Sequence, residues 1–412
     1  MDKITIIPSK LSGKVVAPPS KSYAHRILIS AFIRGEKTTI KNIGRSKDVL
    51  ATISALTSMG AKFEMGDNEV TLLGVTIPTQ KVIVDCNESG STLRFLLPVA
   101  AALGINAKFT GKGRLLERPI EDLVLALNEH GANIKDLEVF GKLQGGNYKI
   151  NAGVSSQYIT GLMFALAILS DNSTLELVGN LVSEPYVDIT IDVLKSFGFN
   201  IVFTDKSYKS IKTKFKVKDS YHVEGDWSSA SFMLSMAAIG GDITVEGLNV
   251  NSYQGDKEIA KILEKFGANV DVLGNAIRVK KGDLKGISYN IENTPDLAQI
   301  VAVVASYSQG QTILTGVSRL KLKESDRILA IIKSLKTAGI YSEYKNDSII
   351  ITGGTPTAGE QEPTNDHRSV MSAIALSTFA SGSSTVTKIN AIDKSYPEFI
   401  EHYKQVGGKF NG

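Results

Sequence analysis

Apolar and polar residues follow two periods along this chain, and the two kinds of segment recur in a fixed order. Segments such as EDLVLALNEH and DKEIAKILEK space their apolar residues three and four apart, which predicts helices with one buried face. Others, such as STLRFLLPVAAAL and TGLMFALAIL, are apolar nearly all round after a polar first turn, which predicts interior helices. Short Thr- and Val-rich runs follow these, namely TTIKNI, AKFTGK, STLELVG, DITVEGL, QTILTGV and STVTKIN, and each predicts a strand. The opening MDKITIIPSK alternates polar and apolar residues and predicts one strand over Met1 to about Ala17.

The order of these segments repeats six times. LTSMGAKF, LNEHGANI, LKSFGFNI, LEKFGANV, LKTAGIYS and KQVGGKF each end a helix in glycine, and Gly60, Gly131, Gly198, Gly267, Gly339 and Gly407 are separated by 71, 67, 69, 72 and 68 residues. In phase with them, interior helices start at SKSYAHRILIS, SGSTLRFLLPV, SSQYITGLMFA, DWSSASFMLSM, TPDLAQIVAVV and DHRSVMSAIAL. The pattern predicts an α/β (α+β) chain of six like units, divided as two domains of three: residues 18–223, and 1–17 with 224–412. The cut falls near Val223 because the preceding DKSYKSIKTKFKVKDSYHVEGD is rich in Lys and Ser and reads as a crossover. One continuous solenoid is the alternative reading of the repeat.

Composition narrows the chemistry. The chain has 412 residues, a net charge of +4 and one cysteine, Cys86, so neither a disulfide scaffold nor a paired-Cys zinc site is expected. The charge is too even for a nucleic-acid coat, and no apolar stretch approaches the roughly 20 residues of a membrane helix. The opening segment lacks the basic start and apolar run of a signal peptide, and the reading is cytoplasmic.

Residues unusual for a core gather where interior helices begin, where unpaired N–H groups and the positive end of the dipole attract anions. Lys21, Ser22 and Arg26 follow Pro18-Pro19, with Ser22 and Arg26 four apart on one face; they suit a carboxylate or phosphate, or equally a Ser cap with solvated bases. Gly90 lets a backbone approach a ligand, and Arg94 either lines the site or braces the loop. Ser155, Ser156 and Gln157 supply two hydroxyls and an amide, more than a cap needs, while capping explains Ser183 of SEPYVD as well as binding does. Tyr186 shares that motif; Arg114, Arg118, Lys323, Arg327, Arg368 and Lys394 complete a positive set able to grip carboxylate and phosphate. Among them stand two acids, Asp296 and Glu324, whose plain readings are a helix cap and a surface ion pair. An acid and a base in a cationic site are what proton transfer to and from carbon requires.

Together, PPSKSYAHR, SGSTLR, ERPIEDL, SSQY, SEPYVDIT, TPDLA, KLKESDR, NDHR and DKSYPEF resemble, in order, the 5-enolpyruvylshikimate-3-phosphate (EPSP) synthase family. The resemblance implies two inside-out domains of three βαβαββ units with the active site in the cleft between them. It implies transfer of the enolpyruvyl group of phosphoenolpyruvate to the 5-hydroxyl of shikimate 3-phosphate by addition and elimination through a tetrahedral intermediate, with no cofactor and a monomeric enzyme. By the same resemblance Ser22 and Arg26 hold the shikimate carboxylate, Ser155, Ser156 and Ser183 its phosphate, and Gln157 and Tyr186 line its ring. Lys21, Gly90, Arg118, Gln157, Arg327, Arg368 and Lys394 grip phosphoenolpyruvate, Asp296 and Glu324 move protons, and Lys323 orients the attacking oxygen. The resemblance also has Lys21 contact shikimate 3-phosphate and act with the catalytic pair. Glu88 and Arg319 depart from the family pattern, which often has Asn at both places. Two rivals remain: the related UDP-N-acetylglucosamine enolpyruvyl transferase, which places a cysteine ahead of the Arg-Pro pair, and a silent phosphate-binding module.

Overall fold

The computed structural model describes residues 2–169, 173–212 and 217–412. The chain forms two compact units, one of Met1–Pro18 with Glu224–Gly412 and one of Pro19–Val223. Among the described residues the strands make six four-stranded sheets, three in each unit. All six share one plan: an edge strand pairs in parallel with its neighbour, and the other two pairings are antiparallel.

Interior helices fill each unit. In Pro19–Val223 they are Lys21–Arg34, Gly90–Leu103 and Ser156–Ile168; in the other unit they are Trp227–Gly240, Ala298–Ser306 and His367–Thr378. Almost every residue of these helices is buried, whereas strands such as Asn147–Asn151 alternate buried and exposed positions. Pro98 lies inside its helix and offers no N–H to the Arg94 carbonyl. A Cβ at Gly161 would stand 2.2 Å from that carbonyl oxygen, so the glycine sets how closely the two helices pack.

The repeated glycines all have left-handed φ, from +73° at Gly339 to +106° at Gly60 and Gly267. At Gly60 a Cβ would also lie 2.0 Å from the Thr76 carbonyl oxygen, so both conformation and space exclude a side chain. The amphipathic helices they follow include Lys47–Ser58, Ile259–Phe266 and Arg327–Thr337.

Three expectations are corrected. The opening segment is two strands, Lys3–Ile7 and Leu11–Val16, because Pro8 breaks the ladder and sends them to different sheets. The Lys- and Ser-rich stretch is more than a crossover: Ser207–Lys212 and Ser220–His222 are sheet strands, with Tyr208 and Tyr221 buried, while residues 213–216 lie outside the described residues. The TPDLAQ helix opens with the 3-10 turn Pro295–Leu297 before Ala298. Among the described residues no helix is long and apolar enough to cross a membrane.

Candidate active site

In Pro19–Val223 the polar groups gather at three helix starts. Ser20, buried, is the cap of Lys21–Arg34 and accepts from the Tyr23 N–H, which frees Ser22 from that role. Lys21 pairs with Asp48 at 2.9 Å. Arg26 is buried and donates to Thr190 Oγ1 at 2.8 Å, the Ser22 carbonyl at 2.8 Å, the Tyr186 carbonyl at 2.9 Å and Thr160 Oγ1 at 3.4 Å. All four partners are neutral, and burial lowers its pKa to about 10. A guanidinium has five N–H donors, so one on Nη1, beside Ser22, remains for a ligand.

Ser89 caps Gly90–Leu103, and a Cβ on Gly90 would stand 2.7 Å from Nη1 of both Arg94 and Arg118. Two cationic tips thus converge on a helix N-terminus. Arg94 also donates to Gln157 Oε1 at 3.2 Å and the Pro119 carbonyl at 2.8 Å, and Gln157 Nε2 donates to Ser91 Oγ at 3.1 Å. Ser155 is the cap of its helix, accepting from the Gln157 N–H at 3.3 Å, and Ser156 is buried beside it. Ser183 is buried at the cap position with φ +53° and makes no cap bond with its side chain, so plain capping does not explain it. A buried chain ties two of these helix starts: His25 Nδ1 to Thr52 Oγ1 at 2.7 Å, Thr52 to Thr92 at 2.6 Å, and Thr92 Oγ1 to Ser89 Oγ at 2.7 Å. Burial lowers the His25 pKa to about 3, so this imidazole is neutral.

The other unit is built on charge. Arg327 is 1% exposed and donates to three carboxylates: Asp296 Oδ1 at 2.7 Å, Glu324 Oε2 at 2.8 Å and Asp366 Oδ2 at 2.9 Å. Arg368 donates to Asp296 Oδ2 at 3.0 Å, and Lys323 Nζ lies 3.9 Å from Asp296 Oδ1. Burial opposes the charge on Asp296, but Arg368, Lys323 and Arg327 prevail and hold it well below the usual carboxylate range. Burial likewise opposes the Arg327 charge, and Asp366, Glu324 and Asp296 more than offset it. Lys323 is pushed down to about 8 by burial despite Asp296. Asp256, buried, is pushed up to about 7 by burial and by repulsion from Asp296, against the pull of Arg368. Lys394 is buried at the end of the 3-10 turn Ile389–Lys394, which packs on the helix His367–Thr378.

Asp296 is therefore an arginine-held anion and not a cap, and Glu324 belongs to a buried network rather than a surface pair. Arg114 is not gathered in: its side chain is 48% exposed and faces Glu117. Asp48, Asp256 and Asp366 were missed by sequence reasoning. Asp366 had a readable signal, since it caps the His367 helix through the Arg368 N–H at 3.0 Å, and Asp before an interior helix marks such a cap. Cys86 is buried, and burial with Asp85 nearby raises its thiol far above the ordinary range, the opposite of a reactive cysteine.

A family model for EPSP synthase (3-phosphoshikimate 1-carboxyvinyltransferase) matches residues 6–403. The chain is 38% identical to a 3-phosphoshikimate 1-carboxyvinyltransferase of Clostridium kluyveri, over 100% of this chain and 99% of that protein. It is 36% identical to the protein of the same name from Clostridioides difficile, over 100% and 99%. Among solved structures, an EPSP synthase from Acinetobacter baumannii superposes with a TM-score of 0.83 at 26% identity, covering 100% of this chain and 99% of that one.

Proposed function

The chain belongs to the EPSP synthase family, and from that premise we propose that it transfers the enolpyruvyl group of phosphoenolpyruvate to the 5-hydroxyl of shikimate 3-phosphate and releases phosphate. The observation that carries the reading is Asp296 held by Arg327 at 2.7 Å and Arg368 at 3.0 Å, in a network that also holds Glu324. Held so tightly, Asp296 is a weak base. An incoming phosphate and carboxylate compete for the same guanidinium donors, and each donor they draw away raises the basicity of Asp296. Substrate thereby prepares its own base.

In this reading Ser22 and the remaining Arg26 donor take the shikimate carboxylate, while Ser155, Ser156 and Ser183 take its phosphate. Gln157 and Tyr186 border the ring. Lys21, Gly90, Arg118, Arg327, Arg368 and Lys394 bind phosphoenolpyruvate. Asp296 removes the 5-hydroxyl proton as that oxygen attacks C2, with Lys323 orienting it. Glu324 gives a proton to the methylene carbon, forming a tetrahedral adduct. Glu324 then takes that proton back from the new methyl group as the C–O bond to phosphate breaks, and the hydroxyl proton held by Asp296 passes to the departing phosphate, which returns both acids to their starting states. Cations arranged in advance stabilise the charge developing in both steps. The enzyme would work as a cytoplasmic monomer on small molecules, without a cofactor.

A phosphate-release assay with phosphoenolpyruvate and either shikimate 3-phosphate or UDP-N-acetylglucosamine tests the reading. Release is expected with the first acceptor alone. Release only with the second would reject it, and the buried Cys86 favours the first.

A further inference from the structure

Three helices of the unit with Glu224–Gly412, namely Ala298–Ser306, Arg327–Thr337 and His367–Thr378, enclose a cavity. Its interior measures about 40 Å³ and it opens to solvent through a mouth, some 500 Å³ in all. By the usual requirement of roughly 10–15 Å³ per water, the interior holds about three waters or one end of a small ligand. The walls are mostly apolar, with Ala302, Val303, Ile331 and Leu335 among them, and Lys333 and Glu362 pair across the rim at 3.0 Å.

Two buried polar groups in the lining lack partners among the described residues: Gln299 Oε1 and Ser372 Oγ, on residues 3% and 6% exposed. Gln299 Nε2 donates to Ser369 Oγ at 2.7 Å, and Thr364 Oγ1 donates to the same oxygen at 2.9 Å. Turning the amide over would let Oε1 accept from Ser369 but would strand the Nε2 hydrogens instead. In either orientation one end of the Gln299 amide faces no protein partner. Leaving such a buried group unsatisfied is unfavourable, which favours an occupant that bonds to it.

We propose that this cavity binds a small uncharged primary carboxamide with a short apolar body, and that its occupancy slows turnover without competing for the substrate site. The carboxamide both donates and accepts, so it pairs with Gln299 in either orientation and with the Ser372 hydroxyl. A carboxylate of the same shape lacks the donor and would bury a charge among apolar walls. The coupling follows from position. Asp296 lies in the turn before the first helix, Arg327 begins the second and Arg368 lies in the first turn of the third. A ligand that prefers these helices slightly spread disfavours the arrangement in which the two arginines share Asp296 with substrate.

Crystals soaked in isobutyramide, together with steady-state kinetics in its presence, test the proposal. The expected results are density for the amide against Gln299 and Ser372, and a kcat that falls while neither KM rises. Isobutyrate should do neither. Ala302→Leu fills the cavity and should weaken the inhibition at least tenfold while keeping basal turnover; Ser372→Ala, which adds no bulk, should weaken it severalfold. Water alone in the cavity, density without inhibition in solution, inhibition relieved by more substrate, or unchanged inhibition in both variants would overturn the proposal. The soak reads binding without turnover, so its failure is distinct from a failure of the proposed reaction.

Discussion

Two buried arginines, Arg26 and Arg327, show how differently the two units handle the same charge. Arg26 faces only hydroxyls and carbonyls, and burial lowers its pKa. Arg327 faces three carboxylates and its pKa rises. Neutral partners orient a guanidinium but leave its charge unbalanced, which suits a group waiting for an anion. Carboxylate partners cancel the charge and are themselves fixed in place, which suits a group that holds acids ready for proton transfer. In the proposed reading, the unit Pro19–Val223 holds shikimate 3-phosphate, and the unit with Glu224–Gly412 carries the proton transfers.

The largest effect should come from removing the proposed base, Asp296. Asp296→Asn keeps the shape but, with one acceptor oxygen in place of two, only one of the two arginine hydrogen bonds, and kcat should fall by about 10²–10⁴ in a coupled phosphate assay, the usual range for a general base. A fall of less than threefold would deny Asp296 the proposed role of base.

Stability should separate the two arginines next. Arg327→Met removes the guanidinium that three carboxylates share, Asp296 alone keeping Arg368 at 3.0 Å, and urea unfolding should show a loss of about 3–5 kcal/mol, as for a broken buried ion network. Arg26→Met strands neutral oxygens only, and the loss should be nearer 1–3 kcal/mol. Equal losses would mean that partner charge does not distinguish them.

A smaller effect concerns Asp256. With its pKa raised from 3.8 to about 7, the folded state binds a proton that the unfolded chain has released over that window. Its contribution to stability is therefore fully present below pH 3.8 and lost as pH rises through 7. Asp296 and Asp366, whose values are lowered, contribute with the opposite sign, losing stability as pH falls through the acid range. Asp256→Asn should raise the urea midpoint at pH 8 and flatten its slope between pH 4 and 7; an unchanged slope would count against the buried charge.

The smallest expected change is at Gly90. Gly90→Ala sets a methyl 2.7 Å from the Arg94 and Arg118 tips, which can shift because they end flexible side chains. KM for phosphoenolpyruvate should rise about tenfold, some 1.4 kcal/mol, with KM for shikimate 3-phosphate little changed.

What was legible in the sequence was local. A glycine that must adopt left-handed φ marks itself, as Gly60 does, and a polar first turn ahead of an apolar run marks an interior helix, as at Ser155. The motif residues Asp296, Glu324 and Arg327 could be named for the same reason. Their partners could not, because pairings such as Lys21 with Asp48 and Arg327 with Asp366 join residues 27 and 39 positions apart and depend on tertiary packing. The break at Pro8 was misread because alternation continues on both sides of it while the sheet changes.

The division of labour is tested most directly by calorimetric titration of shikimate 3-phosphate into Asp296→Asn and Arg26→Met. The account predicts near wild-type affinity in the first and at least a tenfold loss in the second. Lost binding in Asp296→Asn with intact binding in Arg26→Met would contradict it.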